Sequence, residues 1–212
     1  MSSFKKLTGS LLLAAAVATT TWAVPTNYVI GSGSTVVANQ DSENGLSIET
    51  SLASGLTGTS FVLNDGQSQT FDFFNIWTNE TSVNIGEDTQ WVNISATLNF
   101  SDPLLGASVG GVTFGGWFFW GLGIADWGEV VWDTPAPIFS VGDRSFQLTL
   151  SDETFNAGPW GLSAGETYGA TVKATVTQLS SSVAHVPDSG STALLLGLAL
   201  TGLGLAGYRR RA

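Results

Sequence analysis

The chain has 212 residues, of which 43% are hydrophobic and 11% are charged, so its length and apolar content suffice for one folded domain with a core. It contains no cysteine and a single histidine, which excludes disulfides, cysteine nucleophiles and zinc sites built from several histidines. Residues 24–187 hold 16 of the 17 acidic side chains but 2 of the 7 basic ones, a formal charge of −14. This charge argues against nucleic acid and anionic lipid surfaces as partners, because both attract basic proteins.

Residues 1–23 have the layout of a secretory signal peptide. Two lysines precede the apolar run at 11–18, and small residues stand at −3 and −1 before a cut after Ala23. We expect signal peptidase to cleave between Ala23 and Val24. A buried N-terminal helix is the alternative, but the charged start and the small residues before the cut favour cleavage. The sequence therefore predicts export across a bacterial inner membrane.

The segment 24–179 has the periodicity of β-strands. Apolar and polar residues alternate without interruption in 92–100, as a strand with one buried face requires. The segments 145–150 and 171–177 repeat this pattern. No internal segment has the period of a long amphipathic helix, so the sequence indicates an all-β domain.

The remaining strand signals are shorter or less regular. The alternation in 70–77 changes phase between Phe73 and Phe74, which indicates a β-bulge. Further strands are predicted at 28–30, 35–38, 46–52, 60–63, 112–117 and 129–132. Many short strands separated by turn residues favour a single antiparallel β-sandwich or jelly roll over other all-β folds.

The domain is rich in tryptophan, and its densest aromatic stretch is 115–121. Flat rings on a β-domain can stack against sugar rings, which makes a glycan-binding surface one hypothesis. The other is packing, because large aromatic residues dominate the cores of small β-domains. The candidates for glycan stacking are Trp117, Trp120, Trp127, Trp132 and Trp160.

Acidic side chains suggest two further kinds of site. Glu129 and Asp133 can share one face of a strand, and a glycoside hydrolase needs two carboxylates roughly 5 to 10 Å apart. Nothing around them resembles a hydrolase motif, so we expect a solvated surface. The segment 41–45 resembles the start of a calcium-binding loop but lacks the later glutamate. We therefore expect no cofactor, with calcium as the alternative.

The C-terminal part begins with a polar linker at 180–185, in which we expect His185 to be exposed. A short motif, the uncharged apolar run 192–208 and an arginine cluster follow. As a helix this run would extend about 25 Å, enough for a thin bilayer. Arginines just beyond such a span stay in the cytoplasm, which places the domain on the other side. The motif is Val186, Pro187, Asp188, Ser189 and Gly190, and the cluster is Arg209, Arg210 and Arg211.

The order of motif, apolar helix and arginine cluster resembles the PEP-CTERM sorting signals, in their VPDSG variant. The resemblance covers residues 186–212. It implies that an exosortase-type transpeptidase cuts near the motif, after transient anchoring in the inner membrane, and that the domain passes to the envelope, the surface or the exterior. An ordinary C-terminal tail anchor is the alternative.

Two classes of function remain for the domain. It is either a non-catalytic envelope or matrix protein, with a structural, adhesive or glycan-contacting role, or a secreted enzyme that acts on polysaccharide through a carboxylate pair. The sequence contains no recognisable nucleophile and base, metal-ligand cluster or hydrolase motif, which favours the first class. The expected partners are signal peptidase, an exosortase-type enzyme and extracellular polysaccharide.

Overall fold

A computed structural model describes residues 25–38, 45–120, 123–142 and 144–181 of the chain. Several predicted features lie outside these residues. They are the signal peptide with its cleavage site, residues 41–44 of the possible calcium-binding loop, His185 and the sorting segment 186–212. Among the described residues, no helix has the length and apolar character needed to cross a bilayer.

The described residues form twelve β-strands and one short 3-10 helix at Glu166–Tyr168. The prediction of an all-β domain is therefore confirmed. The strands are β1 Thr26–Ile30, β2 Thr35–Ala38, β3 Glu49–Leu52, β4 Ser60–Leu63, β5 Ser68–Trp77, β6 Val92–Asp102, β7 Leu104–Trp120, β8 Gly123–Trp132, β9 Ile138–Val141, β10 Arg144–Leu150, β11 Glu153–Pro159 and β12 Ala170–Ser181.

The strands form two curled antiparallel sheets. The larger sheet has the order β11-β8-β7-β6-β1-β4, and β2 also pairs with β6. The smaller sheet has the order β3-β5-β12-β10-β9. Every pairing between these strands is antiparallel.

Several predicted strands are found with small changes. The segments 92–100, 145–150 and 171–177 lie in β6, β10 and β12. The register of β12 against β5 shifts opposite Phe73, so the predicted bulge is confirmed, and both Phe73 and Phe74 are buried. Strand β12 continues to Ser181, so the first two residues of the predicted linker belong to the domain.

The two sheets face each other across one hydrophobic core. Tyr28 and Phe100 of the larger sheet each make an edge-on contact with Phe146 of the smaller sheet, at ring-centroid distances of 5.5 and 5.4 Å. Nearer the other end of the core, Phe74 of the smaller sheet packs against Trp132 of the larger sheet at 6.1 Å. Aromatic contacts of this kind fix the sheets relative to one another.

The two ends of the fold differ. Strand β6 begins at Val92, opposite Thr113, so the last seven residues of β7 project with β8 beyond the start of β6. At the opposite end, the last residue of β12 pairs with Arg144, whose guanidinium lies 3.3 Å from the carboxylate of Asp102 at the end of β6. We call this second end the exit end, because the chain leaves the described domain there.

Candidate functional site at the aromatic end of the larger sheet

The exposed tryptophan and phenylalanine side chains of the described residues lie at one end of the domain. Among the described residues, every exposed tryptophan or phenylalanine lies where β7 and β8 project or on the segments beside them. These residues are Trp91 (72% exposed), Trp117 (42%), Phe118 (59%), Phe119 (62%) and Trp160 (73%). Together with the half-buried Trp127 they are called the aromatic end. Phe118 pairs with Ala125, and Ala125 pairs with Pro159 at the end of β11. Trp160, the next residue, therefore lies beside these rings.

The projecting part of β7 is aromatic on both of its faces. Consecutive side chains of a strand point to opposite faces, so Trp117 and Phe119 lie on one face and Phe118 on the other. All three are exposed because neither β6 nor the smaller sheet covers this part of β7. The hairpin therefore presents apolar rings to solvent rather than to the core.

Trp127 forms a platform on the outer face of the larger sheet. It pairs with Gly116 of β7, and its indole lies over the glycine so closely that a β-carbon there would overlap the ring. The indole thus rests with one side on the backbone of β7 and turns its other side away from the sheet. Its Nε1 donates a hydrogen bond to Glu129 Oε2 at 3.3 Å, which fixes the ring relative to a half-buried carboxylate.

A groove runs beside this platform between β8 and β11. It has a volume of about 580 Å³ and is lined mainly by small or apolar groups from Ala125, Trp127, Thr154, Ala157 and Pro159. The register shift in β11 between Phe155 and Gly158 creates it, because the bulged residues leave a gap against β8. A volume in this range accommodates one or two sugar units.

The bulge that shapes the groove is held by the side chain of Asn156. This buried residue has a φ of 52°, and its Oδ1 accepts a hydrogen bond from the Thr78 amide at 2.9 Å. Its Nδ2 donates to the carbonyl oxygens of Ser163 and Gly165, the latter at 3.0 Å. One side chain thus connects β11 to two neighbouring loops, so the groove wall is preorganised.

Trp160 sits on a strained turn directly after β11. Its φ is 71°, a conformation that costs a bulky residue about 1 to 3 kcal/mol. The amide of Leu162 donates to the carbonyl of Thr81 at 2.9 Å, which holds the turn in place. Its ring is 73% exposed and contributes little to the core.

The loop at 78–91 supports the aromatic end from the inner side. Val83 packs against Gly115 of β7, and its amide donates to the buried carboxylate of Asp126 at 3.1 Å. Within the loop, Glu80 accepts from the Ser47 amide at 2.7 Å and hydrogen-bonds Asp88. Burial, with a smaller contribution from Asp88, raises the pKa of Glu80. The sequence did not reveal this contact, which holds the loop together while Glu80 is protonated and opposes it once both carboxyl groups are ionised.

The predicted glycan-stacking residues fall into three groups. Trp117, Trp127 and Trp160 lie at the aromatic end, whereas the side chain of Trp120 is outside the described part of the chain. Trp132 is only 4% exposed, and its Nε1 donates to the carbonyl of Ser151 at 3.1 Å within the core. It is therefore no candidate for surface stacking.

Trp91 was not predicted as a site residue. It stacks on Phe114 with 5.8 Å between the ring centroids, beside the strand that carries Trp127. Its position just before an alternating strand is the signal that could have revealed it. Whether the aromatic end binds glycans stays a prediction.

The carboxylates predicted as a pair, Glu129 and Asp133, contact different parts of the outer face of the larger sheet. Glu129 contacts Trp127, while Asp133 lies over Gly110 further along the outer face. In residues 25–38, 45–120, 123–142 and 144–181, no three acidic or histidine side chains are grouped so that they could hold a metal ion.

The C-terminal part of the sequence matches a family model. Residues 185–211 match the model described as the VPDSG-CTERM motif. The chain carries a C-terminal sorting signal of the exosortase-substrate type. The VPDSG-CTERM signal implies processing by an exosortase-type enzyme and points to export, with the cell envelope or surface as destination. No curated protein and no solved structure matches the chain.

Proposed function

We propose that this VPDSG-CTERM protein is a non-catalytic envelope or matrix component whose β-sandwich domain contacts extracellular polysaccharide through its aromatic end. The observation that supports this most strongly is the confinement of every exposed tryptophan and phenylalanine of the described residues to that end. Exposed apolar patches lower solubility, and they are typical of binding surfaces. Rings beside a carboxylate and a shallow groove are suited to the apolar faces and hydroxyl groups of sugars.

The same proposal includes the steps before the domain reaches its destination. The signal peptide at 1–23 is removed after Ala23, and the run at 192–208 anchors the chain transiently in the inner membrane with the domain outside the cytoplasm. The exosortase-type enzyme then cuts near the motif at 186–190. The domain is transferred or released as a protein without its arginine cluster.

The orientation of the domain supports an adhesive role. The sorting signal follows Ser181 at the exit end, whereas the aromatic end lies at the opposite pole of the larger sheet. At about 3.3 Å per residue, β7 alone places about 50 Å of strand between Leu104 and Phe119. A domain held by its C-terminal segment therefore directs its aromatic end away from the point of attachment.

Hydrogen-bonding at the acidic residues supports a non-catalytic role. Glu129 holds the Trp127 ring, Asp126 accepts from a backbone amide, and Glu80 and Asp88 cap loop amides. Each of these carboxylates thus has a structural task near the aromatic end. The competing function is a polysaccharide-active enzyme with a carboxylate pair. The experiment must distinguish it from non-catalytic binding.

The proposal is tested with the mature domain, residues 24–185, whose core is complete between Tyr28 and Val176. We expect it to bind a polysaccharide on a glycan array and to release no sugar from it. Trp127→Ala should reduce binding at least about fivefold, because stacking of one ring contributes about 1 kcal/mol or more. Leu104→Ala is the matched control, since Leu104 is 84% exposed at the exit end. Product release that a single carboxylate substitution abolishes would overturn the proposal.

A further inference from the structure

We propose that the groove beside Trp127 selects glycans whose sugar units carry a free, protonated amino group. This inference rests on the proposed function, since it specifies which class of polysaccharide the aromatic end takes. It is carried by three observations: where the basic side chains are, which carboxylate adjoins the platform, and how the indole is placed.

The basic side chains of the described residues lie away from the aromatic end. In the described part of the chain the basic residues are Arg144 and Lys173, both on the smaller sheet. Each already forms an ion pair, Arg144 with Asp102 at 3.3 Å and Lys173 with Asp72 at 2.5 Å. The described aromatic end therefore offers an acidic glycan no cation, and residues 24–187 carry a formal charge of −14 that repels it. Polysaccharides rich in uronic acid or sulfate are excluded on this ground.

The carboxylate beside the platform has capacity for a cation. Glu129 is half-buried on the outer face, and Trp127 Nε1 donates to its Oε2 at 3.3 Å. A carboxylate accepts about four hydrogen bonds, so one indole donor leaves most of this capacity for a ligand. An ammonium group satisfies a partly desolvated carboxylate better than a neutral hydroxyl does, because its hydrogen bond is charge-assisted.

The indole of Trp127 adds a second attraction for the same group. It turns one face away from the sheet, and a cation above an indole face binds about 2- to 30-fold more tightly than a neutral group there. A sugar ring stacked on Trp127 places its edge substituents near Glu129, since the two side chains are hydrogen-bonded on one face of β8. Ring stacking, the cation–π contact and the ion pair can then act together on an amino sugar, whereas an N-acetylated or neutral sugar gains the stacking alone.

The test compares three short oligosaccharides binding to the mature domain: a glucosamine oligomer, its fully N-acetylated counterpart and a uronic acid oligomer. Titration followed by tryptophan fluorescence at a pH below the pKa of the amine measures the affinities. We expect the glucosamine oligomer to bind about tenfold more tightly than the N-acetylated one, and the uronic acid oligomer not to bind. The preference should disappear as the pH rises past the pKa of the amine.

Two matched variants show whether the preference arises at this site. Glu129→Gln keeps an oxygen acceptor for Trp127 Nε1 but removes the charge, so it should lower the preference severalfold and leave N-acetylated binding unchanged. The part of the preference that comes from the cation–π contact should persist. Glu166→Gln removes the same charge from the short helix beside the smaller sheet, where Glu166 accepts from the Ser51 hydroxyl. It should leave all affinities unchanged.

The outcomes separate this inference from the proposed function. Equal affinities for the first two oligomers, or equal losses in Glu129→Gln and Glu166→Gln, overturn the amino-sugar selectivity. The proposed function survives that result if Trp127→Ala still weakens binding. Absence of binding to all three oligomers overturns the selectivity, and the proposed function falls as well if the glycan array also shows no binding.

Discussion

The hydroxyl group of Tyr28, on β1 of the larger sheet, donates a hydrogen bond to Oε1 of Gln178, on β12 of the smaller sheet. Both residues are fully buried, and the ring of Tyr28 packs among Phe61, Phe100 and Phe146. Burial raises the pKa of Tyr28 to about 12. A polar contact in this position joins the two sheets at the exit end, opposite the aromatic end.

Tyr28→Phe should therefore destabilise the domain by about 1 to 3 kcal/mol, because Gln178 would lose its partner while its Nε2 already has none. The measurement is the free energy of unfolding in urea. In the double variant Tyr28→Phe with Gln178→Leu, most of the stability should return, since neither position then holds an unsatisfied polar group. If Tyr28→Phe alone has no effect, the hydrogen bond does not contribute to stability.

Glu80→Gln should raise stability at neutral pH by up to about 1 kcal/mol, because an amide can donate to Asp88 while still accepting from the Ser47 amide. The raised pKa of Glu80 stabilises the fold below the usual value of 4.5, and this contribution is lost as pH rises through the higher folded pKa. Unfolding curves from pH 4 upward should thus decline less for Glu80→Gln than for the wild type, whereas parallel curves would refute this role of Glu80.

Trp160→Gly should stabilise the domain by about 0.5 to 1 kcal/mol and weaken polysaccharide binding, because glycine accepts a φ of 71° without strain. Trp160→Ala is the control, since alanine keeps the strain and loses the ring. It should weaken binding equally without raising the melting temperature. Unchanged binding in both variants would remove Trp160 from the binding surface.

The strands in which apolar and polar residues alternate regularly, above all β6 and β12, could be predicted. Each of them buries one face along most of its length. Strand β7 is longer than the predicted segment 112–117, since Gly106, Gly110 and Gly111 remove the alternation. The neighbouring groups leave no room for side chains at these positions. The side chains of Asn99 and Asp133 cover Gly106 and Gly110, and the Val131 carbonyl with the Trp132 ring covers Gly111.

The location of the candidate site could not be predicted, although its tryptophans could be. The exposure of Trp117 depends on where β6 begins, and the burial of Trp132 depends on Phe74 from the other sheet. The groove depends on a bulge in β11, a strand that was not predicted because Gly158 and Pro159 are typical of a turn. These relationships join residues far apart in the chain, and local patterns do not report them.

Processing at the C-terminus is tested by mass spectrometry of the mature protein from the exporting cell. We expect a C-terminus near the motif at 186–190, because that segment matches the sorting signal. Arg209, Arg210 and Arg211 should be absent. A mature protein that ends at Ala212 would show a permanent tail anchor instead.

We propose that the domain, held at its exit end, presents its aromatic end to polysaccharide. Because the chain has no cysteine, one engineered cysteine fixes its orientation on a surface. One form carries it after residue 185, and the other carries Ile85→Cys, in the exposed loop that supports the aromatic end. The measurement is polysaccharide captured per immobilised molecule. We predict strong capture by the first form and weak capture by the second and by the first form with Trp127→Ala. Equal capture by all three would contradict the account.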